Sequence, residues 1–154
     1  MPLGGEGGFF AETYRAREIV PSGALGPDWT GDRPLATAIY YLLTPGTFSA
    51  LHRLRSDEVF HFYLGDPVEM LQLTPDGGGR LVVMGADLPA GMRPQVVVPR
   101  GVWQGTRLIE GGTLALLGTT VAPGFDPEDF ELGRREALIA TYPAFRERIT
   151  ALAR

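Results

Sequence analysis

The chain has no cysteine. That excludes disulfides, thiolate catalysis and every sulfur-ligated metal or iron–sulfur cluster, and leaves any metal site to nitrogen and oxygen donors. Lysine is missing as well: all 14 basic residues are arginines, a bias of the kind that genomic composition produces and that carries no mechanism of its own. No apolar run approaches the roughly 18 residues needed to span a bilayer. The opening MPLGGEGGFFAETYR has no basic region leading into an apolar one, so no secretory signal is expected. Positive charge is also in short supply, with 14 arginines against 18 acids and a net charge of −4, which speaks against a general nucleic-acid surface. The expectation is a cytoplasmic protein that meets neither membrane nor nucleic acid.

Helical periodicity is scarce until the end of the chain. In its place, 21 glycines and 13 prolines punctuate short runs rich in Val, Tyr, Phe and Leu, the pattern of many strands joined by tight turns. The spacing predicts strands over 37–43, 47–54, 58–65, 68–74, 79–85, 94–99, 102–109 and 113–121, with a further one over 10–17. No stretch of helical period separates consecutive strands, so the fold class is all-β, a sandwich or barrel rather than a layered α/β fold. Asp76-Gly77-Gly78-Gly79 supplies a reversal, and Pro94 and Pro99 bracket a short strand. Asp126-Pro127 reads as a cap followed by proline at the first position of a helix. From Arg134 onward Leu138, Tyr142, Phe145, Ile149 and Leu152 form an apolar stripe that closes one end of the barrel or packs on its outer face, kinked at Pro143. With 154 residues, 44% of them hydrophobic, one core and one domain over 1–154 are expected.

Both histidines of the chain lie in HRLRSDEVFH, with acids between them. On a period of two, Phe48, Ala50, His52 and Leu54 share one side of their strand, and Glu58, Phe60, Phe62 and Leu64 share one side of the next. His52 then sits on an apolar face, where an imidazole needs a partner for each nitrogen, and Glu58 is its expected cross-strand neighbour, orienting the ring or joining it around a cation. His61 has the opposite parity and enters the same pocket only through a bulge. Gln104 shares its strand's parity with Val102 and Thr106, and offers one acceptor and two donors to a ligand. Tyr40 or Tyr41, Phe48, Phe60, Phe62 and Met70 are candidates to line an interior that takes a ring-like ligand. Arg53, Arg55, Arg93, Arg100 and Arg107 are candidate anchors for an anionic group, Arg107 foremost because its strand carries Gln104. GGEGG and GGG are not phosphate loops, having neither the Lys-Ser/Thr ending nor a following helix.

Two strings carry a family resemblance. Gly46, five residues, His52, one residue, Leu54, three residues, Glu58, six residues and Gly65 resemble the first motif of the cupin superfamily, and Pro99, one residue, Gly101, two residues and Gln104 resemble its second. EGGFFAETYR, TAIYYLLTPGTFSALHRLRSDEVFHFYLGDP, VVVPRGVWQG and TVAPGFDPEDFEL resemble an uncharacterised branch of small single-domain cupins, from Glu6 to the last helix. The resemblance implies an RmlC-like jelly roll, a double-stranded β-helix, as a homodimer of unsettled activity. It also implies that His52 and Glu58 fall on metal-ligand positions, while Leu54 and Gln104 stand where further histidines belong. A divalent metal, if bound, would therefore have His52, Glu58 and Gln104, fewer strong donors than the three or four of a tight transition-metal site; the expectation is no cofactor.

Three functions follow as alternatives. The first is an enzyme of the sugar or nucleotide-sugar isomerase or epimerase type, in which His52, oriented by Glu58, moves a proton. The second is a non-catalytic module that binds a small polar or ring-like metabolite, and the third a metal-dependent enzyme. The amphipathic FFAETYRA is expected to extend a neighbouring copy's sheet.

Overall fold

The computed structural model describes residues 1–2 and 4–153. Twelve strands run β1 (Phe9–Arg15), β2 (Ile19–Val20), β3 (Arg33–Pro34), β4 (Thr37–Leu43), β5 (Phe48–Leu54), β6 (Asp57–Gly65), β7 (Val68–Leu73), β8 (Gly79–Met84), β9 (Gln95–Val98), β10 (Trp103–Leu108), β11 (Ala115–Ala122) and β12 (Phe130–Leu132). Two five-stranded antiparallel sheets, ordered β1-β4-β11-β6-β9 and β12-β5-β10-β7-β8, face each other, and β2 and β3 pair apart from them. Apart from the β7–β8 hairpin, neighbours in the two large sheets are not consecutive in the chain, as a jelly roll requires.

Alternation decides which side chains meet between the sheets. Tyr41 and Leu43 from β4, Phe60 from β6, Val68 and Met70 from β7, Val96 and Val98 from β9 and Leu117 from β11 form the inner core. Each of the larger side chains contributes about 1.5–3 kcal/mol by leaving water. The nine strands expected from the sequence all form, with ends shifted by at most a few residues.

Three departures matter for the site. Asp126 does cap the turn that follows, its carboxylate accepting from Glu128 N at 2.9 Å, but that turn is a single 3-10 turn over Pro127–Asp129. The chain then enters β12, which pairs with β5 and closes that sheet's edge. The helices α2 (Arg135–Thr141) and α3 (Arg146–Leu152) come after it, with a 3-10 turn at Pro143–Phe145 between them; a four-residue helix, α1 (Ser22–Leu25), lies in the first long loop. Leu138, Tyr142, Ile149 and Leu152 pack onto Leu51, Leu71 and Leu73, so the stripe covers the outer face of the β5-β10-β7 sheet and does not plug its end. Among the described residues no helix is long and apolar enough to cross a membrane.

Candidate functional site

The site begins with an irregularity in β5. Gln104 pairs with His52 and Thr106 with Ser49, so β5 carries one residue more than β10 over this interval, a bulge. The extra residue reverses the alternation. Phe48, expected beside His52, packs with the helices outside, while Ser49 turns its hydroxyl toward Glu6, 2.7 Å away.

His52 is buried, 2% exposed, and both ring nitrogens are engaged. Nδ1 lies 2.8 Å from the carbonyl of Ala50; a carbonyl only accepts, so Nδ1 carries the proton and Nε2 of the neutral ring is an acceptor. The side-chain amide of Gln104, directly opposite in the ladder, donates from Nε2 to that nitrogen at 2.8 Å and to Glu58 Oε2 at 2.9 Å. The expectation that Glu58 itself orients the ring is corrected. β6 belongs to the facing sheet, where Glu58 pairs with Val98 and Val121; the carboxylate therefore reaches the imidazole from across the interior, with the amide of Gln104 between them. Burial pushes the Glu58 carboxyl up to about 7; the charge that His52 carries when protonated and hydrogen bonds from Thr119 and Gln104 draw it down, and the charge of Glu6 adds to the rise.

Glu6 is the group that sequence reasoning missed. Its Oε1 accepts from Ser49 and stands 4.0 Å from His52 Nδ1, and its backbone carbonyl accepts from Ala50 N at 2.8 Å. The next residue, Gly7, accepts the Tyr41 hydroxyl at 2.8 Å. Gly8 then crosses Tyr41 so closely, at φ +72°, that a Cβ there would lie 2.7 Å from the phenol oxygen; only glycine passes. The available signal was a lone acid set between two glycine pairs, a strap able to bend inward.

These groups border a cavity of about 110 Å³, walled by Phe10, Phe60, Phe125, Phe130 and Tyr41 and bearing the carboxylates of Glu6, Glu12 and Glu58 with no arginine among its lining residues. Phe130 stacks on His52 at 5.0 Å between ring centroids and 26° between planes. Phe130 and Leu54 also line a larger open depression of about 490 Å³ outside, with Trp29, Arg53, Arg55 and Arg100, so the two spaces share this wall. The wall is pinned by a buried ion pair: Arg33 donates from Nε and Nη2 to Asp129 at 2.7 and 2.9 Å, both side chains 2% exposed.

The other sequence candidates lie elsewhere. Tyr40 is on the outer face, edge-on to Tyr63 at 5.8 Å; its neighbour Tyr41 faces inward. His61 also faces outward, as its parity requires, 3.3 Å from Thr120 Oγ1 and 3.4 Å from Gln95 Nε2. Arg107 sits on the helix-covered side, 3.4 Å from Glu69 Oε1, an oxygen that also takes Arg148. Arg53 pairs with Glu131 and lies over Trp103; Arg93 meets only backbone carbonyls. Met70 is inner core, away from the cavity wall. His52, Glu58 and Phe60 are thus brought together on the cavity, with Gln104 behind the first two.

The donor set does not suit the divalent metal that the cupin likeness implies. Leu54 has no donor atom, Gln104 presents N–H rather than oxygen to His52 and Glu58, and the free His52 nitrogen already accepts that N–H. Among the described residues no three His, Asp, Glu or Cys are grouped to hold a metal.

Comparison with known proteins shows the same fold in other chains. A solved structure of protein SO0799 from Shewanella oneidensis superposes with a TM-score of 0.83 at 38% identity, covering 97% of this chain and 88% of its own. A hypothetical protein from Leishmania major gives 0.89 at 30%, covering 99% and 92%. The uncharacterized protein YML079W of Saccharomyces cerevisiae is 32% identical over 132 residues, 80% of this chain and 66% of the yeast protein, so the chain spans just under two thirds of that relative. The family model described as Cupin superfamily (DUF985) matches residues 2–133, a span that holds both sheets, the Glu6 strap and the His52–Gln104–Glu58 bridge, and the chain belongs to that family.

Proposed function

We propose that the interior cavity binds a small molecule and that Glu58 is its proton carrier, making this cupin a proton-transfer enzyme of the isomerase or epimerase type. The observation that carries the reading is a carboxyl held near neutrality inside a cavity screened from water, where it can give and take a proton at working pH. His52 has both nitrogens committed to the protein; with Gln104 it positions the carboxylate rather than acting as the base. A nucleotide-sugar is disfavoured as substrate, because the cavity lining offers no arginine to a phosphate and its volume is about 110 Å³. The test is hydrogen exchange in D2O with a library of small carbonyl compounds, sugars and amines. Washout of a C–H signal by the native chain, lost in Glu58→Gln, is the expected result. Saturable binding with no washout in any compound overturns turnover and leaves a binding module, the reading that the fully engaged imidazole favours.

Self-association and compartment belong to the same proposal. β1 pairs with β4 of its own chain and is the last strand of its sheet; Met1 and Pro2 take the Phe9–Phe10 end of its outer edge, and the rest of that edge runs beside the exposed rings of Tyr14 and Tyr40 with no further strand of the sheet over it among the described residues. A second copy meeting this edge as a homodimer is the expected state, and a concentration-independent monomer by light scattering overturns it. Recovery from the cytosolic fraction is expected; recovery from the medium or an envelope compartment contradicts it.

A further inference from the structure

The hydrogen-bonding groups around the cavity are unevenly spent. Nearly every donor is consumed within the protein: His52 Nδ1–H on Ala50 O, the Gln104 amide on His52 and Glu58, the Tyr41 hydroxyl on Gly7 O, the Ser49 hydroxyl on Glu6. Thr119 hydrogen-bonds Glu58 in addition. Two hydroxyls are exceptions: Thr37, whose oxygen takes Phe125 N, and Thr106, buried on β10 with no partner for its Oγ1. What is left over is acceptor capacity. Gln104 Oε1, on a side chain only 1% exposed, has no partner at all, and leaving a buried acceptor unpaired costs about 1–3 kcal/mol. This oxygen stands behind His52 and Glu58, off the cavity wall; with the His52 ring neutral the amide's orientation is held, since the Ala50 carbonyl takes the Nδ1 proton and Nε2 then requires an N–H from the amide.

Charge is skewed in the same direction. Glu6, Glu12 and Glu58 line the cavity and no arginine does, His52 being the one basic group on its wall; the nearby arginines are committed to carboxylates, Arg15 to Glu12 and Arg33 to Asp129. The remaining wall is aromatic, and ring faces attract cations. Size sets the last limit. A cavity of about 110 Å³ is somewhat smaller than the ~150 Å³ that admits benzene.

Resting on the reading of the interior as a ligand site, the geometry points to a small organic cation, a protonated amine no larger than about a five-membered ring, as the class of ligand this cavity takes. Its N–H groups meet the carboxylates of Glu6 and Glu58, and its hydrocarbon lies against Phe10, Phe60 and Phe130. The ligand supplies the donors that the protein lacks.

The test uses three ring compounds of similar size on the full chain: pyrrolidine, protonated at neutral pH; tetrahydrofuran, its uncharged analogue; and cyclopropanecarboxylate, an anion. The chain has only 2 histidines, so the ring protons of His52 report the cavity by NMR while those of His61, on the outer face, serve as the internal control. Pyrrolidine is expected to shift the His52 signals saturably with a Kd at least tenfold below that of tetrahydrofuran, and cyclopropanecarboxylate to leave them unmoved. Glu6→Gln keeps an acceptor for Ser49 and removes the charge; it should weaken pyrrolidine at least tenfold with the His61 signals unchanged. Equal affinity for pyrrolidine and tetrahydrofuran, or an unaffected Glu6→Gln, overturns the cationic class. Binding of the anion at His52 does so too, while leaving the cavity a ligand site. If none of the three moves His52, both this inference and the reading beneath it fall.

Discussion

Glu58 faces two demands at once: it must accept from Gln104 and Thr119, and it must do so where charge is poorly solvated. Its folded pKa of about 7 against an ordinary 4.5 means that the folded state holds a proton which the unfolded chain has released, between those two values. The contribution of this group to stability is therefore greatest below about 4.5 and is lost as pH rises through 7, by on the order of 3 kcal/mol if the whole difference is realised. Urea unfolding at pH 5 and pH 8 should show the decline, and Glu58→Gln should flatten it; an unchanged slope in the variant assigns the dependence elsewhere. Gln104→Met, which keeps volume but removes the bridge, strands His52 Nε2 and Glu58 and should cost more than about 2 kcal/mol in the same assay. At this scale the sequence was informative where alternation held: His52, Glu58, Phe60 and Gln104 follow from parity and the two cupin strings. It was uninformative where two like residues adjoin, as with Tyr40 and Tyr41, and where a loop delivers the group, as with Glu6. Arg107 was favoured for sharing a strand with Gln104, yet an odd offset of three residues puts it on the opposite face.

Among the elements, the short β12 and the turn before it do most to shape the cavity. Asp126-Pro127 is a sound signal for a helical start, and one turn does form. It stops there because Asp129 is drawn to the buried Arg33 and the next three residues find a ladder on β5, a tertiary contact invisible to local pattern. Asp129→Ala should destabilise the fold by about 3–5 kcal/mol, since Arg33 is left charged and unpaired in the interior; a loss below 1 kcal/mol by chemical denaturation would show that the pair is not what holds this edge. Phe130→Ala should merge the cavity with the outer depression, visible in a crystal structure as one continuous space. The bulge in β5 was equally hidden, because an extra residue leaves no mark in composition. The α2–α3 stripe was legible from its spacing, although not which surface it covers. Ile149, fully buried against Leu51, Leu71 and Leu73, tests that packing: Ile149→Ala should cost about 2–5 kcal/mol in thermal or urea unfolding.

For the molecule as a whole, strand number and order of appearance could be read from turn residues, while the pairing of strands distant in sequence came through only by way of the family resemblance. Pairing partners are set by which faces bury together, a property of the assembled sheets. One sheet has its outside covered by helices; the other presents Tyr40, Tyr63, Leu64 and Val97 to solvent, which is where the proposed second copy gains its apolar contact. The lining of the cavity draws on residues far apart in the sequence, Glu6 ahead of the first strand and Phe130 in the last. A chain still emerging from the ribosome therefore has no finished pocket until its last strand is out. Occupancy by a small molecule is consequently a seal on completed folding: a ligand at a hundred times its Kd adds about 2.7 kcal/mol to the folded form, and it rewards only chains that have brought both segments home.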